Sequence, residues 1–440
     1  MTIPADARTI RVAIADLNGQ PRGKRMPAGY ADKLGAGSVR MPLSALNVDI
    51  WGADIEDSPL VFETGDADGT CHPTERGAVP MPWLATPSAL VPMTMMSGGV
   101  PFAGDPRAAL ARVLDRYAAR GWRVMAATEL EFYLIDDSGK RLRPPRSPLT
   151  GARLRGNAIL SIRTLDAFDA FFTDLYDGAE AMGIPAQAAI SESGIGQFEV
   201  NLLHDEAMRA ADDAWLFKQL VKGVARAHGM VASFMAKPWS SEPGNGLHVH
   251  FSVLDAEGQN VFDNGGAEGT PLLRHAIAGC LEALPGSSLI LAPHLNSYDR
   301  LTPGSHAPVN ASWGYENRTV ALRVPGGPPA ARRIEHRVAG GDINPYLLLA
   351  AILGAALSGI EAERPAPDPV QGNAYDLAGT QPGMAADWAT AIELFATSPQ
   401  IAAIFEPLLI ENLVRTKRQE QAKLAALAPE YRMAPYLETV

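Results

Sequence analysis

The sequence is poor in cysteine, in basic charge and in long apolar runs, and each shortage removes a class of function. Two cysteines, Cys71 and Cys280, cannot build a disulfide framework. No apolar leader core lies between Met1 and Arg11, so a reduced, cytoplasmic setting is expected. The longest uncharged apolar stretch, Tyr346 to Ile360, has 15 residues, and a membrane span needs about 20. It reads instead as a buried helix opened by Asn344 as N-cap and Pro345 at the first helical position. Lysine and arginine total 38 against 49 acidic residues, a net charge of −11. Nucleic acids and anionic membranes require clustered cations, so neither is expected as a partner. The one basic cluster, Lys140, Arg141, Arg143, Arg146, Arg153 and Arg155, sits among Pro, Gly and Ser and reads as a solvated loop. A Walker phosphate-binding loop and a glycine-rich kinase loop are also missing, which excludes those two nucleotide-binding designs.

What is present points to two compact domains, since 440 residues at 47% hydrophobic exceed one small core. Residues 1–102 look β-rich. Ile10 to Leu17 reads as a strand, Asn18-Gly19 as a hairpin turn and Gly23 to Met26 as the return. Pro and Gly punctuate the chain between Pro80 and Pro106, where the boundary is expected. Residues 103–440 open with Asp105-Pro106 and a helix whose Leu110, Val113, Leu114 and Tyr117 share a face up to Gly121. Strands and helices then alternate, ending in an amphipathic helix around Ile401 to Leu427. No internal repeat is visible.

The polar residues of four strands fall on one side of each. Glu129, Glu131 and Tyr133 alternate with Leu130, Phe132 and Leu134. Gln197, Glu199 and Asn201 alternate with Phe198, Val200 and Leu202, after Glu192 and a glycine-bearing turn. His248, His250 and Ser252 alternate with Val249, Phe251 and Val253. Arg333, Glu335 and Arg337 flank Ile334. Taken alone, the Glu129–Glu131 pair is explained equally well by an exposed strand edge, and a single histidine on a strand face by a satisfied core residue. Five carboxylates and a histidine on matching faces form an oxygen-rich set suited to Mg²⁺ or Mn²⁺ rather than zinc. Arg300, Arg318, Arg323, Arg333 and Arg337 fall within 38 residues and lack helical ion-pair spacing. Guanidinium forks beside metals imply an anionic substrate and fit phosphoryl transfer from a nucleotide.

In series, the segments Glu129-Leu130-Glu131-Phe132, Glu192 to Glu199, Gly246 to His250, Asn296-Ser297-Tyr298-Asp299-Arg300, Arg332 to Arg337 and Asn344-Pro345-Tyr346 resemble the glutamine synthetase superfamily. With the Asn18 to Lys24 hairpin the likeness spans nearly the whole chain. It implies an α+β protein: an N-terminal β-grasp domain, then a catalytic domain with a curved antiparallel sheet. It also implies a dodecamer of two hexameric rings, ATP, and two or more Mg²⁺ or Mn²⁺ ions. By this resemblance Glu131, Glu192 and Glu199 would hold one metal, and Glu129, His248 and Glu335 the other. Arg300 and Arg337 would hold the carboxylates of L-glutamate, with the Gly244 backbone near its amino group. Arg318, Arg323 and Arg333 would hold phosphates, and His250 and Ser252 would lie by the nucleotide. The implied reaction phosphorylates the γ-carboxylate of glutamate, and an amine then attacks the acyl phosphate.

Two departures redirect the expectation. Ammonia-using members carry a glutamate in the flap after the Asn-Ser-Tyr motif; here Pro303-Gly304-Ser305-His306-Ala307-Pro308 has His306 instead. They also carry an aspartate where this chain reads Arg40-Met41-Pro42-Leu43-Ser44. Both ammonium-capturing acids are absent, which favours an amine with a carbon body, such as putrescine or a polyamine. His306 is a candidate proton acceptor. Asp49, Trp51, Asp54, Glu56 and Asp57 would either line an amine pocket or form an ordinary loop. Pro243 replaces an asparagine that touches glutamate in many relatives. Tyr375 resembles a tyrosine that some members adenylylate, and reads more simply as an unmodified surface residue. The alternatives are an ammonia-dependent glutamine synthetase, a catalytically silent ring protein and a two-metal hydrolase.

Overall fold

The computed structural model describes residues 2–139, 141–302, 307–377, 383–437 and 439–440. Two mostly antiparallel sheets organise them. The first holds β1 (Thr9–Ala15), β2 (Pro21–Pro27), β3 (Val39–Pro42), β4 (Asp68–Pro73), β5 (Val79–Pro80), β6 (Ser88–Ser97) and β7 (Val100–Pro101). Its order is β2-β1-β6-β4-β3, with β1 and β6 parallel. The expected hairpin is there: Gly19, at φ 76°, makes the turn that a residue with a Cβ would resist. Ile10, Val12 and Ile14 enter the core of this sheet while Ala13 and Ala15 join the larger second core. Burial on both faces explains why β1 is almost continuously apolar.

The second sheet holds β8 (Arg123–Ile135), β9 (Ala186–Ser191), β10 (Gln197–Leu202), β11 (Asp205–Glu206), β12 (Val231–Ser233), β13 (Leu247–Leu254), β14 (Trp313–Tyr315), β15 (Leu322–Val324) and β16 (Ile334–His336). The order runs β14-β15-β16-β13-β8-β10-β9, with β11 and β12 also on β8. Eleven α-helices occur among the described residues. The first six are α1 (Pro59–Phe62), α2 (Pro106–Ala118), α3 (Ile162–Ala167), α4 (Asp169–Met182), α5 (Ala207–Ala227) and α6 (Pro271–Leu291). Then come α7 (Ser297–Arg300), α8 (Pro345–Glu361), α9 (Trp388–Thr397), α10 (Pro399–Ala402) and α11 (Pro407–Ala426).

Local chemistry sets the ends of these helices. Asp105 caps α2 by accepting from the Arg107 N–H, and Asn344 caps α8 by accepting from Tyr346 and Leu347. Almost all of α8 is buried, as its apolar run requires. The single final helix expected over Ile401 to Leu427 is instead two helices, α10 and α11. Proline at position 407 cannot continue a helix from the preceding turn, but it starts one well at the first position. Buried ion pairs fasten two segments to α5: Arg76, on the β4–β5 connection, meets Asp213 at 2.8 Å, and Arg107, in the first turn of α2, meets Asp212 at 3.0 Å. No helix among the described residues is long and apolar enough to cross a membrane.

Candidate active site

Strand register brings the polar faces together. Glu199 on β10 lies opposite Glu131 on β8, and Asn201 opposite Glu129. On the other side of β8, His248 of β13 is opposite Glu129. His250 is then opposite Glu335 on β16, which in turn faces Arg323 on β15. Five adjacent strands, β15-β16-β13-β8-β10, thus carry the carboxylates, imidazoles and guanidinium groups across one sheet face. Period two does the rest: one residue of slippage would bury Glu129 and Glu131 among Phe132 and Phe198.

The contacts are specific. Glu129 accepts from both imidazoles, at 2.8 Å from His248 Nδ1 and 2.9 Å from His250 Nε2. The Arg333 Nε–H donates to His250 Nδ1 at 3.2 Å, so the His250 proton sits on Nε2, facing Glu129. Glu335, 1% exposed, accepts from Arg323 at 2.8 Å and also from Arg337. Glu131 accepts from the Gly246 N–H at 2.7 Å. Ligand atoms of Glu129, Glu199 and His248 lie within 4.8 Å of one another, as do those of Glu129, His250 and Glu335.

Charge in this pocket is crowded. Burial, then repulsion from Glu131, Glu129 and Glu192, pushes the Glu199 carboxyl up to about 9. Burial and Glu131 push Glu192 up to about 7. Burial also opposes ionisation of Glu129 and Glu335, but it is outweighed. Hydrogen bonds from His248 and His250 hold Glu129 well below the usual carboxylate range, and Arg337 leads the charges that lower Glu335. Carboxylates that oppose one another's ionisation in a buried cluster fit a bound divalent cation, whose charge would relieve the repulsion.

The remaining expected residues are distributed around this centre. Arg300, on α7, is 6% exposed; it donates to the Val338 carbonyl at 2.7 Å and passes close to Gly244 and Gly246. A Cβ at Gly244 would lie 2.4 Å from the Ala236 carbonyl and 2.7 Å from the Arg300 side chain, so only glycine fits there. Arg337 is 8% exposed. Ser252 is half-buried one step further along the β13 face. Arg318 is exposed on the turn between β14 and β15, away from the cluster's hydrogen bonds. His306 lies outside the described residues. Tyr375, expected at the surface, is half-buried, and the charges of Arg337 and Arg300 reach it. Pro243 offers its carbonyl to the Tyr133 hydroxyl at 2.7 Å.

The acidic segment is partly spent on structure. Asp49 is fully buried and accepts from Lys423 at 2.5 Å and Gln419 at 3.0 Å on α11, so it cannot line an amine pocket. Trp51 remains exposed, and Glu56 and Asp57 line a depression against α11. Gln197 supports the site although it was not among the expected ligands. Its amide reaches Glu131 at 3.4 Å, the Gly244 carbonyl at 3.0 Å and Asn245 at 3.0 Å. Its place on the Glu199 face was the available signal.

Comparison with known proteins decides the family: the description "Glutamine synthetase, catalytic domain" matches residues 103–436. The chain belongs to the glutamine synthetase family. It is 40% identical over 382 residues to γ-glutamylputrescine synthetase PuuA of Escherichia coli K12, covering 84% of this chain and 79% of that one. It is 30% identical over 445 residues to a glutamate–isopropylamine ligase of a Pseudomonas species, covering 98% and 95% of the two chains. Among solved structures, ligand-free GmaS superimposes with a TM-score of 0.84 at 26% identity over 97% of this chain and 96% of the other. The fold is therefore the α+β fold of this family, and the parallel β1–β6 pair beside a hairpin suits the β-grasp expectation for the first domain.

Proposed function

We propose that this member of the family is an ATP-dependent ligase joining the γ-carboxylate of L-glutamate to an amine with a carbon body, putrescine or a polyamine foremost. The observation that carries the reading is the convergence of Glu129, Glu199, His248, His250 and Glu335 within a few ångströms, ringed by arginines. In this reading Glu131, Glu192 and Glu199 hold one Mg²⁺ or Mn²⁺, and Glu129, His248 and Glu335 the other. Divalent metal bound there supplies charge neutralisation for a phosphoryl group in transfer. Arg323 and Arg333, with Arg318 from its exposed turn, take phosphate oxygens, while Arg300 and Arg337 take the carboxylates of glutamate beside Gly244. His250 and Ser252 border the nucleotide. His250 is a positioning residue in this scheme, because Arg333 fixes its tautomer and Glu129 takes its proton-bearing nitrogen. A γ-glutamyl phosphate then accepts the amine, with His306 the candidate for the amine proton. Two stacked hexameric rings are the expected assembly.

The choice of amine over ammonium rests on the two missing acids and on the named activities of the relatives. At Arg40 to Ser44 the segment carries no acid of its own and turns apolar, with Met41 and Leu43 buried; the neighbouring carboxylates are already engaged, Asp66 by the Ser44 hydroxyl at 2.6 Å and Asp68 by Arg40 at 3.3 Å. Coupled ATP hydrolysis and amide formation with glutamate plus ammonium, putrescine, spermidine, methylamine or ethanolamine tests this. The expected outcome is kcat/KM for putrescine or spermidine at least ~10-fold above that for ammonium, because losing both anionic partners removes well over 1 kcal/mol of ammonium binding. A preference for ammonium would replace the proposal with an ordinary glutamine synthetase. ATP-dependent turnover with none of them would leave the silent ring.

A further inference from the structure

A second cavity, of about 730 Å³, lies away from the carboxylate–arginine cluster, where β1, β2 and the Met81–Leu84 segment face the outer side of α5. Its volume is that of a small-molecule site. Its lining has an unusual charge. Arg11, Lys24, Arg25, Lys222 and Arg226 all line it, and none of its lining residues is acidic, in a chain whose net charge is −11. Arg226 has a carboxylate, Asp137, at 3.0 Å. Among the described residues the two arginines of the first sheet on this face have none: Arg11 approaches the Met81 sulfur at 3.6 Å, while the Lys24 ammonium points to the opposite face and donates to the Arg40 carbonyl at 2.6 Å. Arg25 is exposed, and its charge, after burial, is what most disfavours the charge on Arg11. Like charges left to repel one another across a concave surface favour an anion between them.

The cavity also has a flat apolar wall. Trp83 is half-buried and packs on α5 at Gly223, where an added Cβ would lie 2.4 Å from the indole ring. The helix therefore gives up a side chain at that position and the ring is held in place. Leu84, Leu90 and Met81 continue the wall.

We propose that this groove is a second ligand site, for a small organic dianion bearing a flat apolar group. The anion sits between Arg11 and Arg25, which are opposite one another on β1 and β2, and the flat group lies along Trp83. Guanidinium forks supply two-point recognition of a phosphate or paired carboxylates, and the aromatic edge selects against a bare inorganic anion.

Phenylphosphate is a suitable probe, titrated calorimetrically into the assembled full-length protein carrying Arg318→Gln, Arg323→Gln and Arg333→Gln, so that the phosphate-holding arginines of the ligase site do not contribute. The expected result is one phenylphosphate per chain with a dissociation constant near or below ~1 mM. Arg11→Gln with Arg25→Gln in that host should weaken it at least ~10-fold, as loss of two charge-assisted partners does. Inorganic phosphate should bind more weakly than phenylphosphate, and Trp83→Leu should erase that preference. Absence of binding in the host overturns the proposal, as it would if a second copy of the chain or another segment covered the groove. Binding that is indifferent to Arg11 and Arg25 overturns it too. A phenyl preference that survives Trp83→Leu removes the flat-group assignment. A failed amine panel would leave all these outcomes unchanged, so the two proposals fail separately.

Discussion

Glu129 is the residue on which the site's geometry depends most, because it takes a hydrogen bond from each of two imidazoles and belongs to both groups of potential metal ligands. Replacing it by alanine leaves two histidines without their acceptor and removes one carboxylate from a crowded set. The expected outcome for Glu129→Ala is a folded protein with ligase activity reduced at least ~100-fold, the scale of losing one electrostatic contributor at a phosphoryl-transfer site. A second readout separates metal binding from turnover. Saturating Mg²⁺ or Mn²⁺ should stabilise the wild type against heat by about 2–3 kcal/mol at a hundred times the dissociation constant, and Glu129→Ala should lose most of that gain. Equal metal-induced shifts in both proteins would remove Glu129 from the ligand set. At this scale much of the site was legible. Alternation on a strand places Glu129 with Glu131, and His248 with His250, on one face whatever the tertiary fold. What alternation cannot tell is which faces meet. The pairing of Glu129 with two histidines depends on β13 lying beside β8, the support of Glu131 by Gln197 depends on β10 lying on the other side of β8, and the Gly246 N–H comes from a loop that carries no periodic signal.

Between elements, the closest approach in the helical layer is that of α6 and α8, which touch backbone to backbone where Gly279 meets Gly359. A Cβ at Gly279 would come within 2.2 Å of the Ala355 carbonyl oxygen, and one at Gly359 within 2.2 Å of the His275 carbonyl oxygen. Neither neighbour is a side-chain tip that can rotate away. Gly279→Ala and Gly359→Ala should therefore each destabilise by about 1–3 kcal/mol, although alanine is the better helix former by about 1 kcal/mol. Denaturant unfolding measures this, and a stabilised variant would mean the helices separate at little cost. The contrast with α8 itself is instructive. Its start was readable from Asn344-Pro345 and its burial from composition, because both are local properties. The break between α10 and α11 was less visible, since Pro407 sits inside a continuous amphipathic pattern and proline both ends and begins helices. The glycine contact was not readable at all, because it exists only once two helices separated by about fifty residues of chain are packed.

Over the whole molecule, the first sheet and the C-terminal helix are joined by a charged contact buried from water. Lys417 and Glu420 on α11 are both 0% exposed and 3.0 Å apart. Asn18, at the β1–β2 turn, donates to Glu420 at 2.8 Å and accepts from Lys417, whose ammonium also lies 3.4 Å from His294 Nδ1. The net charge of −11 gives no hint of this arrangement: a Lys and a Glu three apart on a helix normally read as a solvated surface pair worth a few tenths of a kcal/mol. Burial reverses that valuation. Lys417→Met should cost about 3–5 kcal/mol, because Glu420 is left charged and unpaired in an apolar setting. Lys417→Met combined with Glu420→Leu should recover more than half of the loss, since two apolar groups of similar size leave no orphaned charge. Unfolding of the wild type, the single and the double variant at a common protein concentration compares the three. If the single change costs under ~1 kcal/mol, the pair reaches water and behaves as a surface contact after all. If the double change is the worst of the three, the pair contributes net stability beyond its desolvation cost. The hairpin turn at Asn18 would then be anchored to α11 by charge rather than by the apolar packing around it.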